Sequence, residues 1–148
     1  MYPVVLGIHN LTRWVIVVLI VYALFRMYRG YFSNSTWEPG DRKAGLFLTI
    51  AMDIQFLFGL VLYVISPLTK QFLQYFGGAM SIKEIRFFGL EHVLYMVVAI
   101  TLAHIGGAAG KKAIDDKAKF KRGAVFFTLA TLAILLGMPW FRPMLPSF

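Results

Sequence analysis

Residues 123–141, GAVFFTLATLAILLGMPWF, are nineteen consecutive residues without a charged side chain. A helix needs about 20 mostly apolar residues to cross the hydrocarbon core of a bilayer, because each residue rises about 1.5 Å. Three earlier stretches are apolar over a similar length and carry only one to four Asp, Glu, Lys, Arg or His residues each. The sequence therefore predicts four membrane-spanning helices, at residues 2–28, 44–66, 85–109 and 123–141.

The composition agrees with a bilayer-embedded chain. Of its 148 residues, 59% are hydrophobic and 15% are charged, whereas soluble domains average about 25% charged residues. The absence of cysteine excludes disulfides, iron–sulfur clusters and thiol catalysis. We predict an all-α, integral membrane four-helix up-down bundle that forms one transmembrane domain over residues 1–148.

The basic residues predict the orientation of the bundle. Cytoplasmic loops carry an excess of Lys and Arg. The net charge of +8 follows from this topology, so no nucleic-acid partner is expected. We predict a multi-pass protein of the bacterial inner (cytoplasmic) membrane with both termini in the periplasm. Loops one and three hold Arg26, Arg29, Arg42, Lys43, Lys111, Lys112, Lys117, Lys119, Lys121 and Arg122, against Lys70, Lys83, Arg86 and Arg142 in loop two and the C-terminal tail.

Several ionisable residues lie inside the predicted spans. Such a group costs about 2.5 kcal/mol or more on insertion scales, so it usually faces the bundle interior and often serves function. The candidate site residues follow from this rule. They are His9, Arg13, Asp53, Glu91, His92 and His104.

His9 and His92 are the candidate haem ligands. Helices one and three run in the same direction, and both histidines lie roughly 8–11 Å below the outer surface. Two imidazoles at one level on neighbouring helices can hold a haem iron axially, and bundle cores commonly host such cofactors. The alternative is that both are polar residues hydrogen-bonded near an interface.

Arg13 and Asp53 both lie near the midplane, and Arg13 is one turn from His9. A buried Arg13–Asp53 ion pair would remove two uncompensated charges and fix helices one and two together. In the functional alternative, Arg13 neutralises a haem propionate and Asp53 relays protons. Glu91 lies near the outer surface, where it either snorkels or takes a proton from a quinol.

His104 is twelve residues after His92, about 18 Å along the helix, so the two cannot ligate one iron. Met27 is its only obvious partner at the same level for a second haem. This pairing is the less favoured interpretation. The favoured one places His104 at a helix C-terminus, where its protonated form suits the helix dipole.

Five segments resemble a known family. They are HNLTRW at 9–14, FLFGLVLY at 56–63, RFFGLEH at 86–92, Lys111-Lys112-Ala113 with the basic stretch that follows it, and GMPW at 137–140. They resemble a small four-helix membrane family that is frequent in Bacteroidetes and often labelled "cytochrome B". The resemblance covers nearly the whole chain and implies haem. Members often carry a histidine near positions 51–55, where this chain has Asp53; if that histidine is a ligand, only His9 and His92 remain, or no haem binds.

The residues and the resemblance together predict a b-type cytochrome-like subunit that transfers electrons between quinol and a larger redox complex. Such a protein is an electron carrier rather than a stand-alone enzyme, and its cofactor is haem b, with quinone or lipid as further ligands. The alternative is a haem-free accessory subunit that packs against a respiratory or photosynthetic complex, or against copies of itself. Transport of a proton or small solute is a third reading, but the polar residues form no continuous file.

Overall fold

The computed structural model describes residues 1–108, 111 and 115–143. This part of the chain is almost entirely helical and contains no strand. Four of its helical segments are long and apolar enough to cross a membrane. The predicted all-α four-span architecture is therefore confirmed.

The spans are longer than the apolar runs alone. The bounds of the helices are α1 Tyr2–Ser33, α2 Pro39–Ile65, α3 Pro67–Gln74, α4 Phe76–Ala79, α5 Lys83–Arg86, the π-helix Phe87–Glu91, α6 His92–Gly107 and α7 Asp116–Gly137. The first span is α1 and the second is α2. The third span is continuous over Lys83–Gly107 and consists of α5, the π-helix and α6, and the fourth span is α7.

Local sequence explains where the helices begin and end. Asn34 adopts a left-handed conformation after α1, and its N–H donates to the Gly30 carbonyl, as is common at helix C-termini. Pro67 ends α2 because the residue before a proline disfavours helical geometry. The Asp115 carboxylate accepts the Ala118 N–H at 2.7 Å and caps the N-terminus of α7.

Several boundaries differ from the sequence-based ones. α1 continues to Ser33, α2 begins at Pro39, and α7 begins at Asp116 and ends at Gly137. Polar residues continue these helices beyond the apolar runs, so hydropathy alone underestimates their length. Loop two contains the short helices α3 and α4, which were not predicted. The predicted end of the third span, residue 109, lies outside the described residues.

The four spans form a ring in which α1 contacts α2 and α7, and α6 contacts the same two helices. α1 and α6 are therefore diagonal to each other across the bundle. Small residues allow close approach: alanines 23, 99, 103 and 130 are fully buried. Bulky apolar side chains cover the outside of the bundle, as expected of a surface that faces lipid.

Candidate functional site

The π-helical turn precedes His92 directly. Its last hydrogen bond runs from the His92 N–H to the carbonyl of Phe87, five residues back. Turns of this kind are rare, and they occur often at functional sites. The rings of Phe87 and Phe88 lie 5.9 and 6.0 Å from the His92 ring, between their centroids. His92 is thus held at a local change of helix geometry and beside aromatic rings.

A backbone carbonyl fixes the orientation of the His92 ring. Nδ1 of His92 lies 2.7 Å from the carbonyl oxygen of Gly137, at the end of α7. Because a carbonyl only accepts hydrogen bonds, Nδ1 carries the hydrogen and donates. In the neutral ring, Nε2 then keeps its lone pair. A metal-ligating histidine usually makes the same outer hydrogen bond.

His9 is held by polar residues of its own helix and of α2. The Gln55 side-chain Nε2 donates to the His9 carbonyl at 2.9 Å, and the Thr12 hydroxyl donates to Gln55 Oε1. Gly59 of α2 lies opposite the ring. A Cβ atom built at this glycine would be 3.5 Å from His9 Cε1. The Nδ1 atom of His9 is buried and has no hydrogen-bond partner among the described residues.

The two rings meet across the bundle. The centroids of His9 and His92 are 6.4 Å apart, and the ring planes make an angle of 68°. A metal–imidazole bond is about 2.0–2.1 Å long, so two imidazoles on opposite sides of one metal have ring centres roughly 6.3 Å apart. The observed separation is close to this value, Nδ1 of His9 makes no hydrogen bond within the described residues, and the tautomer of His92 leaves its Nε2 lone pair available.

Arg13 lies four residues after His9 on α1, and its Nε atom is buried. Its guanidinium carbon is 5.9 Å from the centroid of the Trp14 ring. Residues four apart share a helix face, so the cation lies one turn from His9, toward the middle of the span.

The structure pairs Asp53 with His104 instead of Arg13. The Oδ1 atom of Asp53 lies 2.8 Å from Nε2 of His104, on α6. The predicted Arg13–Asp53 pairing rested on depth alone, and the rotation of α2 directs the carboxylate toward α6. Asp53 and His104 therefore link the second and third spans.

The remaining predicted residues lie elsewhere. Glu91 accepts a hydrogen bond from Arg86 Nε at 2.6 Å, which makes it a partner in an ion pair near the N-terminal end of the third span. Met27 is buried and packs against Gly123 of α7. Because His104 bonds Asp53 of α2, the structure does not bring Met27 and His104 to a common metal position.

Sequence reasoning missed three groups around the histidine pair: the Gly137 carbonyl, Gln55 and Gly59. A backbone carbonyl has no sequence signal. Gln55 had one, because an uncharged polar residue in an apolar span usually hydrogen-bonds across helices. The role of Gly59 beside His9 can be recognised only when the packing of α2 against α1 is known.

Fold and site together define a small helical integral membrane protein with a histidine pair inside its bundle. Within residues 1–108, 111 and 115–143, no three or more His, Cys, Asp or Glu side chains are grouped to hold a metal ion. A haem iron needs only axial ligands from the protein, because the macrocycle supplies the others. Comparison of the chain with protein-family models, curated proteins and solved structures found no match.

Proposed function

We propose that this protein is a b-type cytochrome-like membrane subunit in which His9 and His92 hold one haem. One observation carries the proposal: imidazoles from diagonal helices converge in the bundle with 6.4 Å between their ring centroids. Cofactor sites in helical bundles are built in this way, from inward-facing side chains of different helices.

The chain's own residues would set the properties of such a site. The Gly137 carbonyl orients His92 through Nδ1 and raises the basicity of the ligating nitrogen. Arg13 would neutralise a propionate one turn from His9. The apolar bundle limits the access of water. The haem itself would supply one-electron redox chemistry, and the ligands and their surroundings would tune its potential.

The proposed role is electron transfer between quinol and a larger redox complex in the bacterial inner membrane. The exposed apolar faces of the spans are suited to lipid and to partner membrane subunits. We further propose that the termini are periplasmic, because the most basic loops then lie in the cytoplasm. The haem site, near the outer end of the third span, would lie toward the periplasmic side.

The test is an optical spectrum of the protein purified after expression with a haem supply. We expect a b-type reduced-minus-oxidised difference spectrum with one haem per chain. His9→Ala and His92→Ala should each abolish it, because a bis-imidazole iron loses an axial ligand in either variant. His104→Ala is the matched control, since it removes a histidine from α6 but leaves the pair intact.

Two results would contradict the haem proposal. One is a folded, colourless protein that takes up no haem when haem is added to detergent-solubilised samples. The other is a spectrum that His104→Ala removes and His9→Ala preserves. A colourless protein that co-purifies with a larger complex would instead support the haem-free accessory subunit, in which the two histidines are internal packing groups.

A further inference from the structure

The Asp53–His104 pair lies on the outside of the bundle. The side chains are 47% and 51% exposed, although they are hydrogen-bonded to each other at 2.8 Å. Ionisable residues within membrane spans almost always face the bundle interior or a water-filled cavity. A hydrogen-bonded pair of ionisable side chains that is half exposed on the second and third spans is therefore a site that requires an explanation.

The two helices give the position of the pair in the bilayer. Asp53 lies ten residues after Lys43 and twelve before the end of α2 at Ile65, which is about 15 and about 18 Å along the helix. His104 lies in the last turn of α6, as expected from the sequence, only three residues or about 4.5 Å before Gly107. The pair therefore lies between the middle of the hydrocarbon layer, which is about 30 Å thick, and the end of α6. A ligand reaches this outward-facing pair through the bilayer.

The surface around the pair is apolar. The exposed residues one turn from Asp53 on α2 are Ile50 and Leu57, and Val97 lies two turns from His104 on α6. Thr101 is also exposed, but its hydroxyl donates to the Val97 carbonyl at 2.8 Å. A ligand of this surface therefore combines a small polar head with an apolar body.

The pair offers two polar atoms beyond its own hydrogen bond, Nδ1 of His104 and Oδ2 of Asp53. Neither atom makes another hydrogen bond within the described part of the chain. A protonated imidazole donates from Nδ1 to a carbonyl oxygen, and a carboxylate accepts from a hydroxyl. A 1,4-quinone presents carbonyl oxygens, and the corresponding quinol presents hydroxyl groups in the same positions.

We propose that Asp53 and His104 bind the head group of a membrane-dissolved quinone or quinol at this lipid-facing surface. The assignment rests on the proposed function, and it gives the location at which quinol meets the subunit. Asp53 lies six residues before Gly59, which faces His9. The pair is thus about 9 Å along α2 from the proposed haem level.

Photolabelling tests the proposal in lipid nanodiscs, with an azido-quinone as the probe and decylubiquinone as the competitor. We expect the label at residues 50–57 and 97–104, and its loss when the competitor is in excess. Asp53→Asn and His104→Phe should each lower labelling about tenfold, the change produced by losing one hydrogen bond of ordinary strength.

Thr128→Val is the matched control. Thr128 forms an exposed interhelical hydrogen bond of 2.8 Å with Tyr28, so the variant also removes a polar contact from the surface. It should leave labelling of 50–57 and 97–104 unchanged. His9→Ala separates the two proposals, because it abolishes haem binding but should preserve quinone labelling.

Three outcomes would overturn the quinone assignment. They are label distributed evenly over the lipid-facing surface, label that decylubiquinone does not displace from wild-type protein, and label that persists in both variants. The wild-type competition remains decisive if a variant fails to fold. A protein dimer that dissociates in Asp53→Asn, without quinone labelling, would instead assign the pair to a subunit interface.

Discussion

Asp41 provides a test of the helix packing that does not depend on any cofactor. Its side chain is 5% exposed and accepts a hydrogen bond from Arg26 Nε at 2.8 Å. Its second oxygen accepts the backbone N–H of Glu38 at 2.9 Å, at the start of α2. One carboxylate therefore joins α1 to α2 and also fixes the N-terminus of α2. We predict that Asp41→Asn strongly destabilises the bundle.

The size of the effect follows from these two contacts. A hydrogen bond to a charged group contributes about 1.5–3 kcal/mol, and a helix N-terminal side-chain bond contributes about 1 kcal/mol. Asparagine keeps one acceptor oxygen, so it can preserve one contact but not the charge. We expect Asp41→Asn to lower the free energy of unfolding by about 2–3 kcal/mol.

Glu38→Gln is the matched control, because it removes a second carboxylate beside the same arginine. Glu38 is 68% exposed, and its oxygen lies 4.0 Å from Arg26. Exposed pairs of this kind contribute about 0–1 kcal/mol. Reversible unfolding in mixed detergent micelles, followed by circular dichroism, gives both values. Equal effects of the two variants would refute the reasoning, as would zero coupling between Asp41→Asn and Arg26→Gln in a double-mutant cycle.

Two further predictions concern the core and the topology. Phe127 is 1% exposed, and Phe127→Ala should lower the free energy of unfolding by about 3 kcal/mol because it leaves a cavity. In the same unfolding assay, Leu129→Ala, at a side chain that is 42% exposed, should cost much less, and equal losses would contradict the packing. Because the chain has no cysteine, Ser35→Cys and Gly77→Cys each introduce a single thiol. A membrane-impermeant maleimide should label position 77 in intact spheroplasts and position 35 only after permeabilisation; the reverse pattern would invert the proposed orientation.

The architecture could be predicted because the bilayer allows few solutions. A chain in hydrocarbon must satisfy its backbone hydrogen bonds internally, so long apolar runs form helices. The ends of the helices were less predictable. Polar residues such as Arg29 and Asp116 continue α1 and α7 beyond the apolar runs. The helices α3 and α4 are eight and four residues long, too short to show a clear pattern.

The candidate site was predictable in depth but not in rotation. The rise per residue places His9 and His92 at one level, and the structure brings their rings together. The same reasoning placed Arg13 with Asp53, which the structure pairs with His104. Depth follows from counting residues, whereas the direction that a side chain faces depends on how neighbouring helices pack. A single sequence carries little information about that rotation.

The π-helical turn lies at two consecutive polar residues that face different partners. Glu91 pairs with Arg86, five residues back, whereas the next residue, His92, bonds the Gly137 carbonyl of α7. A π-helical turn accommodates one more residue than an α-helical turn, because its hydrogen bonds span five residues instead of four. Deleting one residue from Phe87–Glu91 would let this turn close as an α-helical one, with the flanking helical segments in nearly the same relative rotation. The π-helical turn therefore aligns Arg86 with Glu91, five residues apart, while the next residue, His92, bonds the Gly137 carbonyl of α7.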